Sequence, residues 1–371
     1  MIVVIADDLS GAAELANAAV QSGFSAEVQL RFHAGSDADV VCVDTETRSL
    51  PPEAAAARVE GVARSIAAKR PTLVYKKCDS VLRGSVAAES LAIARALGKK
   101  RVLLIPANPS RQRIIRGGDY FVDGTPLAQT AFAADSEHPR RTSRVVELLG
   151  NASGIEAPDA TSAADVFRQA ATVDTDTLPA GAVDFFSALL TTKVRPAGTK
   201  SRAADHASRT RGSSLFVCGS NAAWLAGRNE QCAGRGIQVC AMPHGLFDRD
   251  LREDVLARWA ASTVTALREC GAALLAIGGE EPVPGVTPAM LTDRLAQAVG
   301  LTLDQTAVAR LFLEGGATAA AVVAELGLQR FHAQTSPGSG VGALQPVDRE
   351  GPLFLIKPGS YAWPDSVWPD S

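Results

Sequence analysis

Two aspartates, Asp7 and Asp8, stand side by side in "IADDLSG", between an apolar, largely β-branched run at 2–6 and a stretch at 9–20 with apolar residues at helical spacing. That pattern puts the pair on a strand-to-helix turn. A carboxylate just before a helix is well explained as an N-cap that accepts the free N–H groups of the first turn. Two adjacent side chains cannot both cap one helix, so the pair leaves a carboxylate for a ligand, a metal or a proton.

A second polar cluster, "VYKKCDSVLRG", follows an apolar run at 72–75 and collects Lys76, Lys77, Asp79, Ser80 and Arg83 ahead of Gly84. It reads either as a solvated charge run or as a site for a small polyhydroxy carboxylate, because arginine grips a carboxylate bidentately. A third, "PANPSRQRIIRGGDYFVDGTPL" at 106–127, carries Arg111, Arg113 and Arg116 between stiffening prolines and the paired Gly117–Gly118. It reads as a loop, which either closes over an anion or is simply solvated. In the second half, glycines follow apolar runs in "VCGSN", "LEGGATA" and "IKPGS", and "SPGSGVG" at 336–342 is a further glycine-rich loop. Glycine lets backbone N–H groups approach phosphate, and a following helix N-terminus adds a favourable dipole. None has the spacing of a Walker A or dinucleotide fingerprint, so each alone is an ordinary turn; together, with Lys357 beside the last, they point to a nucleotide phosphate site.

The elements that must carry these clusters alternate. Apolar runs at 2–6, 39–43, 72–75 and 101–105 are separated by helical stretches at 9–22, 52–69 and 85–97, which indicates a parallel sheet covered on both faces. Between 151 and 213 the periodicity weakens, and the polar, basic stretch from Lys193 to Ser214 has the composition of a linker. A second strand–helix series then starts at "SLFVCGS". The expected architecture is α/β: two α/β domains with largely parallel sheets and a ligand cleft between them. The expected bounds are 1–195 for the first domain, 196–213 for the linker and 214–371 for the second. The closing "WPDSVWPDS" repeats one tetrapeptide and is expected to fray.

At 371 residues and 46% hydrophobic, the chain can bury two ordinary cores. Net charge is −3 with 5% aromatics and no basic stripe, which argues against nucleic acid as a partner. No apolar run is long enough to span a membrane and no leader pattern opens the chain, so a cytoplasmic protein is expected. The cysteines Cys42, Cys78, Cys218, Cys232, Cys240 and Cys270 form no pair at metal-ligand spacing and read as small buried hydrophobes.

Taken in order, "ADDLSGA", "VYKKCDSVLRG", "PANPSRQRIIRGGDYFVDGTPLAQT" with the later "DSEHP", then "VCGS", "EGGATAAAVVAELG", "SPGSGVG" and "LIKPGS" resemble the four-carbon acid sugar kinase family over nearly the whole chain. The resemblance implies an N-terminal sugar-acid domain, a C-terminal ATP domain, and phosphoryl transfer from ATP with Mg²⁺ to a hydroxyl of a threonate-, erythronate- or 3-oxo-tetronate-type acid; it allows a homodimer. Carried onto this chain, it puts Asp7, Asp8, Ser10, Lys76, Asp79, Ser80, Arg83 and Arg113 in the substrate pocket. It puts Gly219, Ser220, Gly315, Gly316, Thr318, Gly338, Lys357 and Gly359 around ATP.

Phosphoryl transfer asks a protein mainly for positioning and charge neutralisation. The roles that follow are Arg83 with Lys76 or Lys77 on the substrate carboxylate, and Asp8 as acceptor of the hydroxyl proton with Asp79 as the alternative. Mg²⁺ would bridge the ATP phosphates, with Lys357 and the backbone at Gly315–Gly316 offsetting their charge. The chain departs from the family where Ala317 replaces the acidic residue that usually follows the paired glycines, where the segment after "VCGS" lacks the usual Thr and Gln, and in its "KPGSYAWPDS" ending. Those departures suit a second reading, a sugar-acid-binding or regulatory protein of weakened catalysis. An aspartate-based phosphatase would want Asp-x-Asp, whereas the second carboxylate here is adjacent.

Overall fold

Apolar runs such as Ile2–Ala6 and Val40–Asp44, buried at every position, are what strands covered on both faces require. The computed structural model describes residues 1–135, 138–193, 212–225, 227–280, 283–338, 340–359 and 362–368. The chain divides into two compact units, Met1–Arg202 and Ala203–Ser371. Of the linker expected at 196–213, residues 196–211 lie outside the described residues.

The first unit runs β1 (Ile2–Ala6), α1 (Leu9–Gln21), β2 (Ala26–Gln29), β3 (Val40–Asp44), α2 (Pro52–Ala67), β4 (Leu73–Lys77), α3 (Val86–Ala96) and β5 (Arg101–Ile105). It continues through β6 (Arg113–Arg116), β7 (Asp119–Val122), β8 (Thr125–Pro126), α4 (Val145–Leu148), β9 (Ile155–Glu156), α5 (Ala163–Ala171), β10 (Thr177–Gly181) and α6 (Val183–Lys193). Its main sheet has the order β2-β3-β1-β4-β10-β5-β9, and the strands pair in parallel. In register, Ala6 lies beside Asp44 on one side and Lys77 on the other, so the residues that follow β1, β3 and β4 emerge together at one edge.

Two parts of this unit differ from the sequence reading. Much of the stretch at 106–127 is not loop: β6, β7 and β8 form a small antiparallel sheet that turns at Gly117–Gly118, both at positive φ. The weakly periodic region after 151 contains α5, β10 and α6. Strand β10, "TLPAG", was hidden because Pro179 and Gly181 are poor strand residues, yet it sits between β4 and β5, buried throughout.

The second unit runs β11 (Ser214–Cys218), α7 (Asn221–Leu225), α8 (Arg228–Ala233), β12 (Gln238–Ala241), α9 (Glu253–Cys270), β13 (Ala272–Ala276) and α10 (Pro288–Gln305). It ends with β14 (Arg310–Glu314), α11 (Gly316–Glu325), β15 (Arg330–Gln334), β16 (Gly342–Pro346) and β17 (Leu353–Lys357). The strands β12-β13-β11-β14-β17 pair in parallel, and β16 and β15 continue antiparallel.

The ending expected to fray is packed through residue 368. Trp363 and Trp368 are 5% and 8% exposed, Trp368 stacks on Phe216 at 5.2 Å, and Trp363 meets Phe312 edge-on at 5.4 Å. Two indoles bury enough apolar area to hold a short segment that repetition alone would not. Cys42, Cys78, Cys218, Cys232 and Cys240 are buried free thiols, whereas Cys270, expected to be buried, is exposed at the end of α9. Among the described residues, no helix is long and apolar enough to cross a membrane.

Candidate functional site

Asp8 is the N-cap of α1. Its backbone is extended, Oδ1 accepts the Gly11 N–H at 2.8 Å, and Oδ2 accepts the Ser10 hydroxyl at 2.6 Å. A Cβ on Gly11 would fall 2.8 Å from Asp8 Oδ1 and 3.3 Å from Lys77 Cγ, so glycine there lets the carboxylate fold over the helix start. Asp7 does something different. Its backbone carbonyl accepts the N–H groups of Thr47 and Arg48, and its Oδ2 accepts Arg48 Nε at 2.8 Å. Arg48 Nη1 reaches Asp8 Oδ2 at 2.6 Å, so one guanidinium clamps both aspartates. The same nitrogen lies 3.9 Å from Asp79 Oδ1.

Asp79 organises its own loop. Oδ2 accepts the N–H groups of Val81 and Arg83 and Arg83 Nε, and Oδ1 accepts Arg83 Nη2 at 2.8 Å. The Arg83 fork is therefore engaged with Asp79, and its remaining nitrogen lies 3.4 Å from Asp135 Oδ2. Arg113 donates to the Ser80 hydroxyl, and the guanidinium groups of Arg83 and Arg113 both lie over the Phe132 ring, 5.9 and 5.7 Å from its centre. His138 Nε2 is 3.1 Å from the Arg48 carbonyl; Ser136 and Glu137 of "DSEHP" lie outside the described residues.

The structure thus gathers Asp7, Asp8, Ser10, Asp79 and Arg83 around Arg48, with Ser80 next to Asp79 in the same loop and paired with Arg113. Lys76 and Lys77 make their ion pairs outside this cluster. Successive strand residues point to opposite faces, and Lys76 meets Glu89 of α3 at 2.8 Å while Lys77 lies 3.3 Å from Glu14 of α1, each pair buried. Arg48, Asp135, Glu14 and Glu89 were missing from the sequence reading. The signal for Arg48 was available: it lies in the turn after β3, the counterpart of the turns after β1 and β4.

Charge follows this geometry. Burial raises the Asp7 carboxyl, but Arg48, then Lys76 and Lys77, outweigh it and hold the group below its ordinary value. Burial likewise opposes ionisation of Asp79, and Arg83 and Arg48 overcome it, leaving that carboxyl well below the usual carboxylate range. Among the described residues, no group of three or more His, Cys, Asp or Glu side chains is arranged to hold a metal ion.

In the second unit, Gly219, Gly315 and Gly359 follow the C-terminal ends of the neighbouring strands β11, β14 and β17. A Cβ on Gly219 would collide with the Thr318 hydroxyl, and one on Gly359 would lie 4.0 Å from Gly315 Cα. Gly315, at φ +98°, precedes α11, whose first turn from Gly316 has no side-chain cap, so its N–H groups are available to an anion. This arrangement fits a phosphate group. Ser220 Oγ accepts the Ala223 N–H at the start of α7. Gly338 packs against Pro364 of the closing segment.

Lys357 is fully buried. Its Nζ is 2.7 Å from Glu314 Oε1 and 5.1 Å from the centre of the Trp363 ring, and Arg228 holds Glu314 from its other side at 2.9 Å. Burial draws the Lys357 ammonium below its ordinary value, partly offset by Glu314.

A D-threonate kinase of Salmonella typhimurium is 34% identical over 157 residues, 42% of this chain and 37% of that protein. One of Cupriavidus necator is 44% identical over 130 residues, 34% of this chain and 30% of that protein. The chain thus spans about a third of the length of these relatives. A 3-oxo-tetronate kinase of Burkholderia multivorans is 26% identical over 416 residues, covering 96% of this chain and 93% of that protein. The fold is shared with a solved structure from Salmonella typhimurium LT2, with a TM-score of 0.78 and 17% identity over 97% of this chain and 96% of that one. It is shared also with Haemophilus influenzae protein HI1011, with a TM-score of 0.68 and 18% identity over 98% of each chain. The model of the sugar-binding N-terminal domain matches residues 2–188, half of the sequence and all of the edge that carries Asp7, Asp8, Arg48 and Asp79, and the chain belongs to that family.

Proposed function

We propose that this chain is an ATP-dependent kinase that phosphorylates a hydroxyl of a four-carbon sugar acid of the threonate, erythronate or 3-oxo-tetronate type. The observation that carries the reading is the Arg48 clamp on Asp7 and Asp8 at the sheet edge of a sugar-binding domain. The relatives' names support the substrate class. Arg48, Arg83 and Arg113 supply the positive field that draws an acid substrate to an edge otherwise rich in carboxylates. Asp8 accepts the hydroxyl proton: at 9% it is more exposed than Asp7 at 2% or Asp79 at 5%, and Asp79 is committed to Arg83 and its own loop. Asp7 fixes Arg48, and Ser10 and Gly11 fix Asp8.

ATP, with Mg²⁺ neutralising its phosphates, supplies the transferred phosphoryl group. The Gly315–Gly316 turn and the open N-terminus of α11 receive the phosphates, with Gly219, Ser220, Thr318 and Gly359 around them. A second reading, sugar-acid binding with weakened turnover, is favoured by one observation: Lys357 is held by Glu314 and is unavailable to a phosphate in this conformation. One assay separates them. D-threonate, D-erythronate and 3-oxo-tetronates are offered with Mg·ATP while ADP formation and sugar-acid binding are measured in parallel. Turnover of one acid supports the kinase, binding without ADP supports the second reading, and neither refutes both.

A further inference from the structure

A fourth aspartate stands at the same edge as Asp7, Asp8 and Asp79, and the reaction above does not use it. Asp44 ends β3 beside Ala6, is 2% exposed, and accepts the Glu46 N–H on Oδ1 at 2.9 Å. Its Oδ2 is buried with no hydrogen-bond partner. The neighbouring cations are engaged elsewhere. Arg48 holds Asp7 and Asp8 and approaches Asp79, Lys76 and Lys77 face Glu89 and Glu14, and Arg58 of α2 donates to the backbone carbonyls of Thr45 and Glu46. The charges that act most strongly on Asp44 are those of Asp8, Glu46 and Asp7, all acidic. A buried carboxyl whose strongest charged neighbours are carboxylates, and which no cation pairs with, keeps its proton instead of ionising.

We propose that Asp44 is carried as the neutral acid, and that its proton, by keeping a further negative charge out of the Asp7–Asp8–Arg48 cluster, is what allows an anionic sugar acid to bind there. The second half of this rests on the sugar-acid reading; the first does not. Burial, followed by the charges of Asp8, Glu46 and Asp7, raises the carboxyl well above its ordinary value against the opposing Glu46 N–H. A group raised in the folded state contributes stability that is fully present below its unfolded value, 3.8, and is lost as pH rises through its folded value.

The experiment compares the wild-type chain with Asp44→Asn, and with Asp44→Ser in case the amide does not fit, by urea unfolding across a pH series. The readout is how the difference between variant and wild type changes with pH, which a fixed packing defect does not alter. The expected result is a difference that moves in the variant's favour as pH rises; one that is flat with pH overturns the neutral acid. Binding of D-threonate and D-erythronate is then followed by calorimetry over the same series. In the wild type, the Kd is expected to rise about tenfold per pH unit above the Asp44 transition, and in the variants that rise is lost. A wild-type Kd that stays flat through the transition overturns the second half. Absence of binding at every pH overturns the sugar-acid reading and the second half with it, while the unfolding series still decides whether Asp44 holds its proton.

Discussion

Replacing Arg48 by alanine tests the clamp directly. Arg48 contacts Asp7 at 2.8 Å and Asp8 at 2.6 Å, and its side chain is 19% exposed. Without it Asp8 keeps the Gly11 N–H and the Ser10 hydroxyl, whereas Asp7 loses the Arg48 Nε contact on Oδ2 and its Oδ1 already lacks a partner. Removing one partner of a buried ion pair costs about 3–5 kcal/mol, and the partial exposure of Arg48 favours the lower end. Asp7 is depressed in the folded state, so the stability it contributes is present above its ordinary value of 3.8 and is lost as pH falls through its folded value. The deficit of Arg48→Ala should therefore be full at neutral pH and shrink in acid, where Asp7 is protonated in the variant. Arg48→Lys should recover only part of it, because one ammonium does not reproduce the two-pronged contact. Urea unfolding of the three proteins along a pH series measures this. A deficit below about 1 kcal/mol, the range of exposed pairs, or one that does not change with pH, would refute the idea that Arg48 stabilises an ionised Asp7.

Asp8→Asn should lower kcat by about two orders of magnitude or more with little change in melting temperature, since asparagine also caps helices well; near-full kcat would make Asp8 a cap and nothing else. Ala317→Asp, which restores the family's acidic residue, should tighten a non-hydrolysable ATP analogue about tenfold to a hundredfold, the worth of one or two hydrogen bonds to a charged group. A melting temperature that rises while affinity stays flat would assign position 317 to the start of α11 alone. Trp368→Ala should cost about 3–5 kcal/mol in urea unfolding, as for other buried aromatics, and a negligible loss would return the closing segment to a frayed end.

Strands β1, β3, β4 and β5 were legible because a parallel strand covered on both faces writes itself as an unbroken apolar run, and the turns that follow such strands are where a ligand edge lies. Asp8 was legible as a cap for the same local reason. For Arg48 only the position was legible, in the turn after β3; its partners lie 41 and 40 residues away, and nothing in "DTETRS" alone reveals that this turn meets the turn after β1. Lys76 and Lys77 show the opposite difficulty. Their position at a strand end suggested ligand contact, but the two-residue period of a strand sends one toward α3 and the other toward α1, where Glu89 and Glu14 receive them. Only an acidic residue on each covering helix, read jointly with the strand, would have exposed that.

The second unit was harder because its signals are glycines, and glycine marks a turn equally well whether or not phosphate approaches it. What the structure adds is adjacency in the sheet. Gly219, Gly315 and Gly359 follow neighbouring strands and converge on the first turn of α11, whereas Gly338 follows no parallel strand and supports Pro364. Lys357 ends β17, and the carboxylate it meets is Glu314, its register partner in β14. The pair is buried and shared with Arg228, so its first consequence is to fix the ends of β14 and β17 and thereby the backbone that opens α11. On the proposed function, a lysine in that position would serve a nucleotide without touching it, by holding rigid the N–H groups that open α11.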